Sequence, residues 1–127
     1  MSVGNYVLDK GRKPESALLQ YRAVKVGTAE ESVTAVTADT DLLEGVTMFA
    51  VSAGELTKGK LASIRMEGIV PWEAGAAIAK GSLVGTDASG RCIVAASGKR
   101  VHGRALYVAG AAGDVIGVEL HRNSQLA

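Results

Sequence analysis

The chain is short of the residues on which small proteins usually build chemistry or bulk. Its 127 residues include one cysteine, one tryptophan, one phenylalanine, two prolines and two histidines. A single cysteine, Cys92, allows no internal disulfide and cannot by itself make a zinc site. Charge of one sign is missing too. The 14 Lys+Arg against 13 Asp+Glu leave a net +1, which argues against nucleic acid or an anionic membrane as the main partner. No apolar run is long enough to span a bilayer, and Met1-Ser2-Val3-Gly4-Asn5 lacks the apolar core of a signal peptide. Synthesis in a reducing cytoplasm is expected.

What is present is small. Hydrophobic residues make up 47% of the chain but aromatics only 4%, and glycine occurs 16 times. Small side chains each bury little area, at ~25 cal/mol per Å² of apolar surface. The length suits one domain, or one domain plus an arm. A thin core of this kind gains from burying further surface against copies of itself or a partner, so an oligomer or a surface-bound module is expected.

The pattern Gly-x-(Leu/Val)-x-x-(Ile/Val)-x-(Met/Leu) occurs twice, as Gly59-Lys60-Leu61-Ala62-Ser63-Ile64-Arg65-Met66 and Gly113-Asp114-Val115-Ile116-Gly117-Val118-Glu119-Leu120. Each copy follows a second shared piece, Gly45-Val46-Thr47-Met48-Phe49-Ala50-Val51 and Gly103-Arg104-Ala105-Leu106-Tyr107-Val108. With or without duplication, both units spell strand, glycine turn, strand, the signature of antiparallel sheet. Further strands are expected over 17–26, 32–37, 46–53, 61–70, 82–86, 91–95, 102–109 and 115–121. Pro71 is expected to end the strand before it. One helical turn is expected over 40–44 and a plain turn over 54–59. Asp87-Ala88-Ser89-Gly90 is a strong turn signal. Short strands, glycine turns and no convincing long helix imply an all-β protein, a small sandwich or barrel-like domain. The expected organisation is an extended N-terminal arm over 1–16, a β-rich domain over 17–122 and a loose tail over 123–127. In the arm, Asp9-Lys10-Gly11-Arg12-Lys13-Pro14-Glu15 is charged and broken by Gly and Pro, which disfavours regular structure. It is either a frayed tail or an arm that orders on a partner.

Motifs for chemistry fail one by one. Gly54-Glu55-Leu56-Thr57-Lys58-Gly59-Lys60-Leu61 follows the phosphate-binding loop until its last position, where Leu61 cannot supply the hydroxyl that holds Mg²⁺. Lys58 and Lys60 read instead as solvating a hairpin. Gly110-Ala111-Ala112-Gly113 resembles a fragment of a nucleotide or RNA clamp, but a strand follows it and a hairpin turn is the better reading. His102 and His121 lack metal-pair spacing, and Cys92 sits in an apolar strand where cysteine behaves as a small hydrophobe. No catalytic, metal or cofactor residue is assigned. Pro71 and Trp72 stand apart: Trp72 suits either the largest core residue or an anchor at an oligomer or capsid interface.

One resemblance remains. Gly68-Ile69-Val70-Pro71, the alanine-rich run from Ala74 to Ile78, Lys80-Gly81-Ser82-Leu83-Val84-Gly85, Asp87-Ala88-Ser89-Gly90, His102-Gly103-Arg104-Ala105-Leu106 and Ala112-Gly113-Asp114-Val115-Ile116-Gly117-Val118-Glu119-Leu120 together resemble the small capsid decoration, or cement, proteins of tailed bacteriophages. The likeness covers residues 61–120, roughly half the chain. It implies a non-enzymatic virion protein on the outer capsid surface, without cofactor, that binds the major capsid protein and itself, a trimer favoured and a dimer possible. It also implies shell contact through the arm, which here falls on Val3, Tyr6, Leu8, Lys10, Arg12 and Lys13. The alternative reading is a small β-barrel module that binds a ligand, peptide or glycan.

Overall fold

The computed structural model describes residues 8–126, with side chains through residue 120. It is all-β apart from one short helix. In chain order the elements are β1 (Leu8–Pro14), β2 (Ala23–Val26), β3 (Ser32–Ala35), β4 (Leu43–Thr47), α1 (Ala53–Thr57), β5 (Ala62–Glu73), β6 (Leu83–Thr86), β7 (Cys92–Val94), β8 (Arg100–Ala105) and β9 (Val115–Leu126). The sheet order is β1-β3-β2-β4-β5-β9-β8-β6-β7, with β1 also paired to β5. That last pairing closes β1, β3, β2, β4 and the first part of β5 into a five-stranded barrel. Its interior holds Leu18, Val24, Val33, Val51, Ala62, Ile64 and Met66.

The remaining strands repeat the same plan. The second part of β5 pairs with β9, then β8, β6 and β7 follow, and a parallel bridge from Ala74 to Cys92 brings β7 back to the end of β5. In the first ring the equivalent contact is the parallel pairing of Pro14 with Val33. The registers agree strand by strand. Val46 faces Arg65 as Arg104 faces Glu119, and Val24 faces Gly45 as Val84 faces Gly103. The bridges Leu18–Val51 and Ile78–Ala109 correspond as well. The sequence motif is therefore a real structural repeat. It aligns β4 and the start of β5 with β8 and β9.

Glycine marks the repeat where the backbone requires it. A Cβ on Gly45 would strike the Arg65 carbonyl oxygen, and one on Gly103 would strike the Glu119 carbonyl oxygen. Three left-handed positions also correspond: Tyr21 (φ 58) with Gly81 (φ 87), Glu31 (φ 55) with Gly90 (φ 80), and Gly59 (φ 81) with Gly113 (φ 97). The first ring thus holds two bulky residues in a conformation that the second ring gives to glycine.

Several expectations give way to tertiary context. The charged stretch over 9–15 is mostly strand, because β1 pairs with β5 from Leu8 to Arg12 and with β3 at Lys13 and Pro14. Residues 8–14, expected in the arm, are therefore a barrel strand. The strand expected over 17–26 is confined to Ala23–Val26, and that over 46–53 shifts to Leu43–Thr47, leaving no helical turn at 40–44. The turn at 54–59 contains α1, whose N-terminus carries a complete capping box: Glu55 N–H donates to Ser52 Oγ and Ser52 N–H to Glu55 Oε1. β9 runs to Leu126, with Gln125 opposite Val101, so the loose tail over 123–127 is not seen up to residue 126. β5 passes through Pro71 to Glu73. Residues of that parity point their nitrogens away from β9, as the Glu73 N–H donating to the Tyr21 carbonyl shows. Proline there costs no hydrogen bond to β9.

The repeat makes opposite predictions for two substitutions. Glu31→Gly relieves a left-handed side chain and is expected to raise unfolding free energy by about 0.5–1 kcal/mol. Gly103→Ala forces β8 off β9 and is expected to cost about 2–4 kcal/mol. Urea denaturation of the two variants checks both signs.

Candidate interaction surface

Trp72 is fully buried. Its indole Nε1–H donates to the Gly90 carbonyl at 2.9 Å, and the same carbonyl accepts the Ala23 N–H at 2.7 Å. The Asp87–Gly90 turn is thereby clasped to the first ring. Around it, Arg22 donates to Glu73 at 2.9 Å and to the Ser89 carbonyl at 3.2 Å, and Arg91 Nε lies 3.4 Å from Glu73. Trp72 is a core residue of the ring junction: of the two readings open for it, the structure has the core one, and the candidate interface role is corrected because the side chain presents no surface. Pro71 is half-buried on the outer face, opposite Gly117.

The expected capsid contacts divide. Val3 and Tyr6 lie outside the described residues. Leu8 packs on the core of the first ring. Arg12 reaches Glu44 at 3.2 Å and is mostly covered. Lys10 and Lys13 are exposed.

Lys13 lines a groove of about 240 Å³ together with Pro14, Leu56, Gly59, Lys60 and Leu61. Its rim is basic and its floor apolar. Lys60 is held by Glu55 at 2.7 Å, whose carboxyl that ammonium group and the Ser52 cap lower to about 2. Leu56 is half-buried against the core of the first ring, while Leu61 is 56% exposed. The sequence singled out Lys13 as a candidate shell contact and read Lys60 as solvating a hairpin, but it did not bring the two together in one groove. The apolar Leu61 directly after Lys60 was the available signal. Elsewhere Phe49 and Tyr107, at equivalent corners of the two rings, are both more than half exposed.

The residues considered for chemistry do not assemble. Cys92 on β7 and His102 on β8 are separated by β6 and both are buried. Burial, with Asp87 adding to it, pushes the Cys92 thiol up to about 12, which opposes thiolate formation. Burial pushes the His102 imidazole down to about 4, partly offset by its hydrogen bond to the Asp41 carbonyl and reinforced by Arg100. His121 has no described side chain. No cluster of metal-ligating side chains occurs among the described residues. The phosphate-loop look-alike is split between α1 and a turn that leads into β5, so no long helix opens on it. The chain has no described helix long and apolar enough to cross a membrane.

Comparison with known families decides the affiliation. The family described as phage cement protein matches residues 1–120. The chain belongs to the phage cement protein family. It is a phage structural protein, and the sequence resemblance over 61–120 widens to almost the whole chain. Among solved structures, the head fiber gp8.5 N base of bacteriophage phi29 shares the fold at TM-score 0.69, with 18% identity over 94% of this chain and 98% of that one. At that identity the likeness speaks for the fold alone. No curated protein matches the chain in sequence.

Two predictions follow from the buried groups. Trp72→Phe keeps an aromatic ring in the junction but leaves a small void and drops the indole hydrogen bond, and is expected to cost about 1–3 kcal/mol by thermal or urea unfolding. His102 binds its proton more weakly folded than unfolded, so the unfolded chain takes up more protons between the two pKa values. Stability is therefore lost as pH falls from about 6.5 toward 4 and gains no further loss from this residue below that. Glu15, Asp41 and Glu55, held below their ordinary values by hydrogen bonds, add an acid limb in the same direction only below about 4.5. Titrating stability across pH 4–7 should show the upper limb in the parent cement protein and its absence in His102→Gln.

Proposed function

We propose that this cement protein binds the outer surface of a phage head, contacts the major capsid protein, and stabilises the coat lattice without catalysing a reaction. The family match over residues 1–120 carries this reading. The fold is compatible with it. Closed rings leave little unpaired edge strand, so attachment falls to side-chain surfaces and to the residues before Leu8, with Val3 and Tyr6 as candidate contacts there. Lys10 and Lys13 are the exposed contacts within β1; Leu8, Arg12 and Pro71 are more covered and would contribute less. Self-association as a trimer, or as a dimer, is the expected assembly, because repeated weak contacts held by symmetry act as one strong attachment.

The structure changes how an arm is to be tested. Removing residues 1–14 would delete β1 and open the first ring, so the informative truncation stops before Leu8. Purified protein is expected to co-sediment saturably with expanded heads lacking their decoration protein and not with unexpanded procapsids. Absence of binding to either head form, with the cognate phage confirmed, overturns the reading. If the chain without residues 1–7 saturates heads at unchanged affinity, the contacts assigned to Val3 and Tyr6 are wrong.

A further inference from the structure

The two rings serve as controls for one another. Positions that the fold fixes are shared, as with Gly45 and Gly103 or Gly59 and Gly113. Positions that differ are free of that constraint. The largest departure is the link between the fourth and fifth strands of each ring. It runs over 48–61 in the first ring and carries α1, but over 106–114 in the second, where no helix intervenes. Without α1 there would be no Leu56 wall and no groove.

Charge departs at the same place. By the strand registers Lys13 corresponds to Glu73, and Lys60 to Asp114. Equivalent corners of one fold thus carry opposite charge, so the fold does not demand lysine there. Lys58, the C-cap of α1, is an exposed third cation on the backbone between Leu56 and Gly59 of the groove, though not itself part of its lining. Lys60 is answered by Glu55, but neither Lys13 nor Lys58 makes an ion pair with a described residue. In a chain of net charge +1 this is a local excess, set around an exposed Leu61 and a half-buried Leu56 and Pro14.

We propose that this groove receives an acidic, extended segment of the coat subunit, with one apolar side chain of that segment seated on Pro14, Leu56 and Leu61. The assignment rests on the head-binding reading and names the surface and the chemistry of its partner. Lysines at the rim steer and orient the segment, and the apolar floor slows its release. An overall charge near neutral fits a protein that recognises one acidic strip rather than any polyanion.

The test uses the full chain on expanded heads lacking their decoration protein. Lys13→Glu combined with Lys58→Glu is expected to weaken binding at least about tenfold and to flatten its dependence on salt, with the thermal midpoint unchanged. Leu61→Asp should weaken binding similarly. Lys80→Glu, an exposed charge reversal in the second ring, should leave it unchanged. A photo-crosslinker at position 61 is expected to capture an acidic stretch of the coat protein. Undiminished binding by the double variant, equal loss in Lys80→Glu, or capture of a second copy of this chain or of DNA overturns the groove assignment. Parent protein that fails to bind heads overturns the head-binding reading itself, and is distinguished from those outcomes by the parent control.

Discussion

Both rings depend on β5. Its first part closes the first ring against β1 and β4, and its second part starts the second ring against β9. The strand changes partners part-way along its length. The change comes at Gly68, whose φ of 94° lies where the partners switch, between Glu67 opposite Leu8 and Gly68 opposite Leu120. A side chain there would be strained, and the strand would resist the bend that lets each ring complete its hydrogen bonds. Neither ring has a full set of strands without the residues on the far side of that glycine.

Sharing a strand leaves the rings free to swing unless something else fixes them. The junction supplies it with little bulk. The outer face of the first ring gives Ala23, Val36, Val46 and Met48 to the same buried cluster as Trp72, Ile78 and Val118. In a chain so rich in alanine and valine, one tryptophan fills what several small residues would leave open. Its polar edge also needs a partner once buried. The Gly90 carbonyl meets that need and holds Ala23 besides, which explains why the second ring's turn is short and ends in glycine. The Arg22–Glu73–Arg91 group lies at the edge of this contact, part-covered, and its value is in orientation more than in energy.

What could be read from the sequence was what the backbone dictates. The glycines of the repeat are required by close approach or left-handed φ, so they recur at fixed places and reveal the hairpins. β1 was not legible, because Gly11, Pro14 and four charged residues are poor strand formers and only tertiary pairing makes them one. Pro71 misled for a related reason: whether a missing N–H matters depends on which neighbour it faces, and parity relative to β9 is not written locally. Trp72 was undecidable between core and interface, since its burial comes from a second ring that the local sequence does not announce. The groove was hidden because its floor and rim come from β1, α1 and the turn into β5, three pieces that meet only in the folded chain.

A closed fold constrains the shell attachment proposed for this protein. Exposed sheet edges are adhesive toward many partners, and ring closure removes most of them. Specific contact must then be carried by what decorates the rings. Internal repetition makes that decoration visible, since whatever the two rings share is explained by folding and whatever they do not share is left to other causes. Phe49 and Tyr107 are shared, and the latter lies across Gly117 on its own sheet, so part of their exposure belongs to the fold. The α1 link and its lysines are not shared. Their cost to the chain is a longer loop closure and a capped turn, both small, and no residue of α1 is fully buried, Leu56 being half-buried on the core. The second ring closes without such a helix, so α1 is not a requirement of ring closure, and Leu56 is what it gives to the core of its own ring.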